Sequence, residues 1–260
     1  MNGLRGAAGF LTRIPVGATT FADDDADAAI ARAVPWFPVV GAFVGIVVGL
    51  AYWAGALVLP STTAAGLAIG CSMIITGAFH EDGLADSADA LWGGYDRDRR
   101  LAILKDSRHG TFGVSALVVS IIVRISALAG LAPGWTSVGA LLGAHAIGRG
   151  AAVALMGTTA PARPDGLGAT YVQALRPHHV VFGVTAAAAL GIVGLGGWCI
   201  AALVLAALAA LTTRALANAK LGGIVGDVLG ALEQVVELAV LVLAAAIVHE
   251  HHRRLGWWPR

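Results

Sequence analysis

The stretch TGAFHEDGLADSADALWGG carries Asp82, Asp86 and Asp89 at i, i+4 and i+7. At 100 degrees per residue their side chains fall within about 60 degrees of arc on one helix face. Three like charges so close repel one another unless a cation sits among them. All-oxygen ligation points to a hard dication, Mg2+ with Mn2+ as the alternative, and Mg2+ keeps waters and shares its shell with substrate phosphates. A helix end with its acids in water is the plainer alternative; the neighbouring His80 and the apolar run before it favour the metal reading. Gly83, Gly93 and Gly94 leave room for a bulky ligand. Glu81, about 100 degrees off the aspartate face, is expected to be solvated.

Further along, Lys105, Asp106 and Arg108 precede Gly110 and Gly113, and cations beside a glycine-flanked helix start make an expected anion site. The Walker spacing GxxxxGK[ST] is absent. Lys105 and Arg108 stand one helical turn apart and could clamp a diphosphate, while Asp106 either completes a metal shell or pairs with Arg108. His109 receives no role. His145 and Arg149, four residues apart in an apolar run, share a helix face, and Arg124 is expected to point away from lipid. Glycines 222, 223, 226 and 230 surround Asp227. On a helix Gln234 lies about 20 and Glu237 about 80 degrees from Asp227, so the three can face one cavity, with Glu233 about 120 degrees off.

These groups sit among elements of an unusual composition: of 260 residues 57% are hydrophobic and 13% charged, against roughly a quarter charged in a soluble domain. A soluble enzyme of standard build is excluded, and 35 glycines suit helices packed closely in lipid. The formal charge of +1 gives no field for a nucleic-acid partner, and Cys71 and Cys199 form no disulfide framework. Apolar runs at 36–59, 62–79, 113–132, 136–157, 180–197, 198–219 and 230–249 predict an all-α, polytopic transmembrane bundle of about seven spans, six to eight at the limits. The join near Gly196 and Gly197 could be one long bent helix. Residues 1–35 read as an interfacial N-terminal segment, with the aspartates of FADDDADAA at a helix start. By the positive-inside rule the polar segment 80–112, with Arg97, Arg99, Arg100, Lys105 and Arg108, faces the cytoplasm. The N-terminus and the loop 158–179 with Arg163 and Arg176 then share that side; the odd count would send the arginine-bearing tail 250–260 to the other, so either one span is re-entrant or the tail breaks the rule. One membrane domain, 1–260, accounts for the whole chain.

In this order, FLTRIPV (Phe10 to Val16), WFPVVGAFVG (Trp36 to Gly45), FHEDGLADSADALWGG (Phe79 to Gly94), KDSRHGTFG (Lys105 to Gly113) and GGIVGDVLGALEQVVE (Gly222 to Glu237) resemble the cobalamin synthase (adenosylcobinamide-GDP ribazoletransferase) family. The resemblance implies a polytopic bacterial inner-membrane enzyme using Mg2+, with its site toward the cytoplasm. In that family the 3'-hydroxyl of α-ribazole, or of its 5'-phosphate, attacks the cobinamide-bound phosphate of adenosylcobinamide-GDP, and GMP leaves. Carried onto this chain, it implies metal and diphosphate on Asp82, Asp86 and Asp89, an added ligand or base at Asp106 or Asp227, and His80 near the nucleophile. Lys105, Arg108, His145, Arg149, Arg163, Gln234 and Glu237 fall to the substrate. The implied partners are the two substrates and the lipid bilayer, with a homo-oligomer or other cobamide-assembly enzymes left open. His109 departs from the usual aliphatic residue, and Val225 from the usual threonine; Gln234 stands where glutamate or glutamine occurs. Two rivals are a CDP-alcohol phosphotransferase, whose D-x-x-D-G-x-x-A-R-x8-G-x3-D-x3-D pattern is missing, and a cation-coupled transporter, which predicts inverted repeats and a midplane site.

Overall fold

Every long element of the computed structural model, which describes residues 3–17, 26–164, 172, 175–251, 255 and 257, is helical. The helices are α1 (Gly3–Leu11), α2 (Ala26–Ala33), α3 (Phe37–Ala56), α4 (Ser61–Thr76), α5 (Phe79–Ala88), α6 (Arg97–Ile103), α7 (Thr111–Ala129), α8 (Trp135–Met156), α9 (Pro177–Leu195), α10 (Cys199–Leu221) and α11 (Gly226–His251). A π-helical turn, Asp89–Gly93, continues α5.

Helix α8 is the hub. Nearly all its residues are buried, the polar His145 and Arg149 among them, and small or apolar residues make up most of the rest of its surface. Gly41, Gly45 and Gly49 of α3, spaced four apart, bring that helix onto it. A Cβ on Gly49 would stand 2.7 Å from Val138 Cα, so the stripe works as small-residue packing does in membranes.

Five stretches are long and apolar enough to cross a membrane: 31–56, 111–129, 135–156, 177–221 and 226–249; the bent pair Ser61–Thr76 with Phe79–Gly93 makes a sixth candidate. The 45-residue stretch is about twice what a bilayer needs, and it turns back on itself at Gly196, whose φ is 58°. Cys199 Sγ lies 3.6 Å from Ala188 O, whereas residues that far apart on one helix would be separated by about 16 Å. Counted as two arms, it brings the bundle to the seven spans read from hydropathy.

A bend before α5 sets the acidic helix off from the apolar helix that precedes it. Gly77 (φ 68°) and Ala78 (φ 55°) are both left-handed, and α5 leaves α4 at 94°. Ala78 N–H donating to Met73 O at 2.8 Å closes the turn, as in a helix C-cap of the Schellman type. The amide of Arg13 donates to Ile75 O at 2.7 Å, so the N-terminal segment braces this corner. Phe10 stacks on Phe37 at 5.6 Å and meets Phe79 edge-on at 5.3 Å.

Trp257 Nε1 donates to Ile192 O, which places Trp257 beside the α9–α10 turn. Asp23, Asp24, Asp25, Arg253, Arg254 and Arg260 lie outside the described residues.

Candidate active site

Two of the three striped aspartates meet as expected. Asp82 and Asp86 face His109, which starts the approach to α7: His109 Nε2 is 3.7 Å from Asp82 Oδ1 and Nδ1 is 3.3 Å from Asp86 Oδ1. One ligand atom from each of the three residues fits within 4.8 Å of the others. Donors about 2.1 Å from a shared dication stand about 3 Å apart when adjacent and about 4 Å when opposite, so the set has the spread of a coordination shell. Asp82 is 62% exposed and Asp86 14%, which leaves an open side for water or phosphate oxygens. Asp227, in the first turn of α11, joins this face: Asp82 and Asp227 are the carboxylates that act on Asp86, and Arg163 acts on Asp227. Close packing of α5 on α11 makes that meeting feasible, since a Cβ on Gly83 would lie 2.8 Å from Asp227 O.

Asp89 has another task. Its carboxylate, 7% exposed, accepts the N–H groups of Gly110 (2.5 Å) and Gly113 (2.9 Å) at the start of α7. A Cβ on Gly110 would come 2.6 Å from its Oδ1. The glycine-flanked helix start therefore holds an anion, as its spacing suggests, but the anion is the chain's own side chain. That corrects two expectations: Asp89 is not gathered with Asp82 and Asp86, and the α7 start is not open to a phosphate. In exchange, Asp89 fixes the backbone that presents His109.

The exposed loop departs from the expected diphosphate clamp. Arg108 grips Asp106 through two hydrogen bonds, Nε to Oδ1 at 2.9 Å and Nη2 to Oδ2 at 2.7 Å. This pairing holds the Asp106 carboxyl down at about 2. Asp106 thus pairs with Arg108 instead of joining the acid face, and Lys105 is exposed beside it.

Beneath the acid face lies a buried polar network drawn from four helices. Arg124 of α7 meets Glu81 of α5 at 3.2 Å and Glu237 of α11 at 3.8 Å. Arg149 of α8 pairs with both Glu233 and Glu237. His145 Nδ1 lies 2.9 Å from Glu237, and His80 Nε2 lies 3.0 Å from Glu233. Gln234 Nε2 reaches Glu237 at 3.5 Å. Each of these residues is at most 5% exposed.

Arg124 accordingly points away from lipid, as expected, whereas Glu81 is not solvated: it is the partner that makes the burial of Arg124 tolerable. His145, Arg149, Gln234 and Glu237 contact one another here and are buried away from any open substrate face, and His80 lies on the same inner side. Asp227 and Glu237 do not share a cavity; they belong to the outer and inner clusters respectively. Sequence reasoning missed Glu233, whose wheel position looks outward from Asp227 but inward to His80, and it gave His109 no role, since a lone histidine more than twenty residues from Asp82 has no spacing signal.

Arg163 is held on the outer side. Its loop is pinned by Ala162 N–H to Ile224 O (2.8 Å), Ile224 N–H to Ala160 O (3.0 Å) and Arg97 Nη2 to Ala162 O (2.7 Å). Its Nε and Nη1 are buried with no hydrogen-bond partner among the described residues. A guanidinium with spare donors beside Asp227 is suited to receive phosphate oxygens. Arg97 and Arg100 also bond to the last carbonyls of α10, those of Leu221 and Lys220, so part of the basic charge expected on the cytoplasmic side closes a helix end.

A family model described as Cobalamin-5-phosphate synthase matches residues 3–245. The chain is 44% identical over 245 residues to an adenosylcobinamide-GDP ribazoletransferase of Bradyrhizobium diazoefficiens, covering 94% of this chain and 93% of that one. Proteins of the same description from Mesorhizobium japonicum (39% identical, 91% and 90% covered) and Ralstonia pickettii (37% identical, 90% and 91% covered) are similar over comparable lengths. No solved structure matches.

Proposed function

The chain belongs to the cobalamin-5-phosphate synthase family, and from that membership and the outer acid face we propose that it is a divalent-metal-dependent adenosylcobinamide-GDP ribazoletransferase. It joins adenosylcobinamide-GDP to α-ribazole or α-ribazole 5'-phosphate in the bacterial inner membrane. The observation that carries the metal-dependent chemistry is the convergence of Asp82 and Asp86 with His109 on one face, with Asp227 near enough to act on Asp86.

The reaction forms one P–O bond and breaks another. The ribose 3'-oxygen attacks the phosphorus bound to cobinamide, the bond from that phosphorus to the bridging oxygen breaks, and GMP departs with the electron pair. Mg2+ (or Mn2+) held by Asp82 and Asp86 would neutralise diphosphate oxygens and the leaving phosphate. Arg163, whose charge acts on Asp227, would add a guanidinium to the phosphates. Asp227, the remaining outer carboxylate not used as a cap, takes the hydroxyl proton. The inner network keeps α5, α7, α8 and α11 in register, so that the outer groups are positioned before substrate arrives.

An amphiphilic corrinoid substrate suits a site at the end of a helical bundle. Arg97, Arg99, Arg100, Lys105 and Arg108 support a cytoplasmic orientation for that end. Purified protein given Mg2+, adenosylcobinamide-GDP and α-ribazole should yield cobalamin and GMP in equal amounts. Folded protein that forms neither, with α-ribazole or with its 5'-phosphate, would refute the proposal, and release of CMP from a CDP-alcohol would favour the phosphotransferase rival.

A further inference from the structure

We infer that His109 is a nitrogen ligand of the divalent cation in this chain, so that its site is a two-carboxylate, one-imidazole centre rather than an all-oxygen one. The inference rests on the proposed metal site at Asp82 and Asp86 and adds a third protein ligand to it.

Three observations carry it. The imidazole edge runs along the pair, with one nitrogen 3.3 Å from Asp86 and the other 3.7 Å from Asp82, so a dication among the carboxylates has a ring nitrogen within reach. His109 comes from a different element than the aspartates, and its backbone is not free to drift: the next residue, Gly110, donates its N–H to the buried Asp89 carboxylate, and Gly113 does the same. Finally, the ring is 36% exposed, so it pays little desolvation cost for facing an ion and turns easily to present either nitrogen.

The consequence is a change in metal preference. Mg2+ favours oxygen and binds imidazole poorly, whereas Mn2+ and later first-row dications accept it. This chain should therefore hold Mn2+ more tightly relative to Mg2+ than a site of carboxylates and water alone. The competing account is that His109 is only an imidazolium counter-ion to the two aspartates. A metal entering such a site displaces the ring and gains no bond to nitrogen.

The test uses the full-length protein in detergent with Mn2+ as the probe. Electron spin-echo measurements on the Mn2+ complex should show the coupling of a directly bonded imidazole nitrogen. His109→Ala should abolish that coupling and raise the Mn2+ dissociation constant at least about tenfold, the scale on which even supporting residues of metal sites act, while the Mg2+ constant changes less than about threefold. His109→Ala is expected to melt with the parent. A bound Mn2+ that is lost in Asp82→Asn, but shows no nitrogen coupling in the wild type, would overturn the role of His109 and leave the carboxylate site standing. Coupling that persists in His109→Ala would overturn it equally. Mn2+ binding that is absent, or unaffected by both Asp82→Asn and Asp86→Asn, would overturn the metal site and the histidine ligand together.

Discussion

Removing Arg124 should cost the protein about twice as much stability as removing its partner Glu81, although the two share one ion pair. The inner network holds two guanidinium groups, Arg124 and Arg149, and three carboxylates, Glu81, Glu233 and Glu237. With both histidines counted as neutral the sum is 2 − 3 = −1. Arg124→Met takes it to 1 − 3 = −2 and strands Glu81 at 5% exposure, whereas Glu81→Gln takes it to 2 − 2 = 0 and leaves Arg124 with Glu237 at 3.8 Å. Stranding a buried charge costs about 3–5 kcal/mol, and losing a charged hydrogen bond without stranding one costs about 1.5–3 kcal/mol. At roughly 2–4 °C per kcal/mol for a chain of this size, Arg124→Met should melt about 6–20 °C below the parent. Glu81→Gln should fall by roughly half as much, and the double variant should recover part of the Arg124→Met loss. Thermal unfolding in detergent, followed by circular dichroism, reads all three. Glu81→Gln melting below Arg124→Met would refute the charge accounting, and both melting with the parent would show that the network contributes nothing to stability.

Asp89→Ala leaves two N–H groups at the α7 start without their acceptor; the expected cost is about 2–4 kcal/mol, with turnover falling about a hundredfold as the His109 segment shifts, both read by melting and GMP release. Gly83→Ala puts a methyl 2.8 Å from Asp227 O, so α5 must move off α11 at a cost of about 1–3 kcal/mol, and turnover should fall more than stability. Arg108 and Asp106 form an exposed pair of small worth, so Arg108→Ala should melt with the parent, and a rise in KM would assign its guanidinium to substrate. The Asp106 carboxyl is lowered to about 2, so any contribution of this pair is present above the ordinary carboxylate range and is lost only as pH falls through about 2. Replacing Asp106 by Asn should therefore leave the pH profile of turnover between pH 5 and 8 unchanged.

The approximate number of spans and the turn at Gly196 were legible because hydropathy and glycine report on burial and backbone freedom directly. The meeting of Asp82 and Asp86 was legible for the same kind of reason, since i, i+4 spacing fixes a face within one helix. Asp89 keeps that face by the wheel, yet two backbone N–H groups from a segment more than twenty residues on claim its carboxylate, and no periodicity within α5 reports on them. The inner network was half visible: His145 with Arg149 and Gln234 with Glu237 showed as helix-face pairs. Glu81 and Glu233 were misjudged because angle from a chosen aspartate says which way a residue points, not whether another helix waits there with an arginine. His109 escaped because its partners are brought to it by the tertiary fold alone.

The central claim, that Asp82 and Asp86 hold the dication on which ribazole transfer depends, is tested most directly by GMP release from adenosylcobinamide-GDP and α-ribazole. The assay compares the wild-type protein and Asp86→Asn, each stripped with EDTA and then resupplied with Mg2+ or Mn2+. The wild type should lose turnover in EDTA and regain it with either ion, while Asp86→Asn, melting with the parent, should stay below about one hundredth of the wild-type rate. Turnover that survives EDTA, or an Asp86→Asn variant as fast as the wild type, would contradict the account.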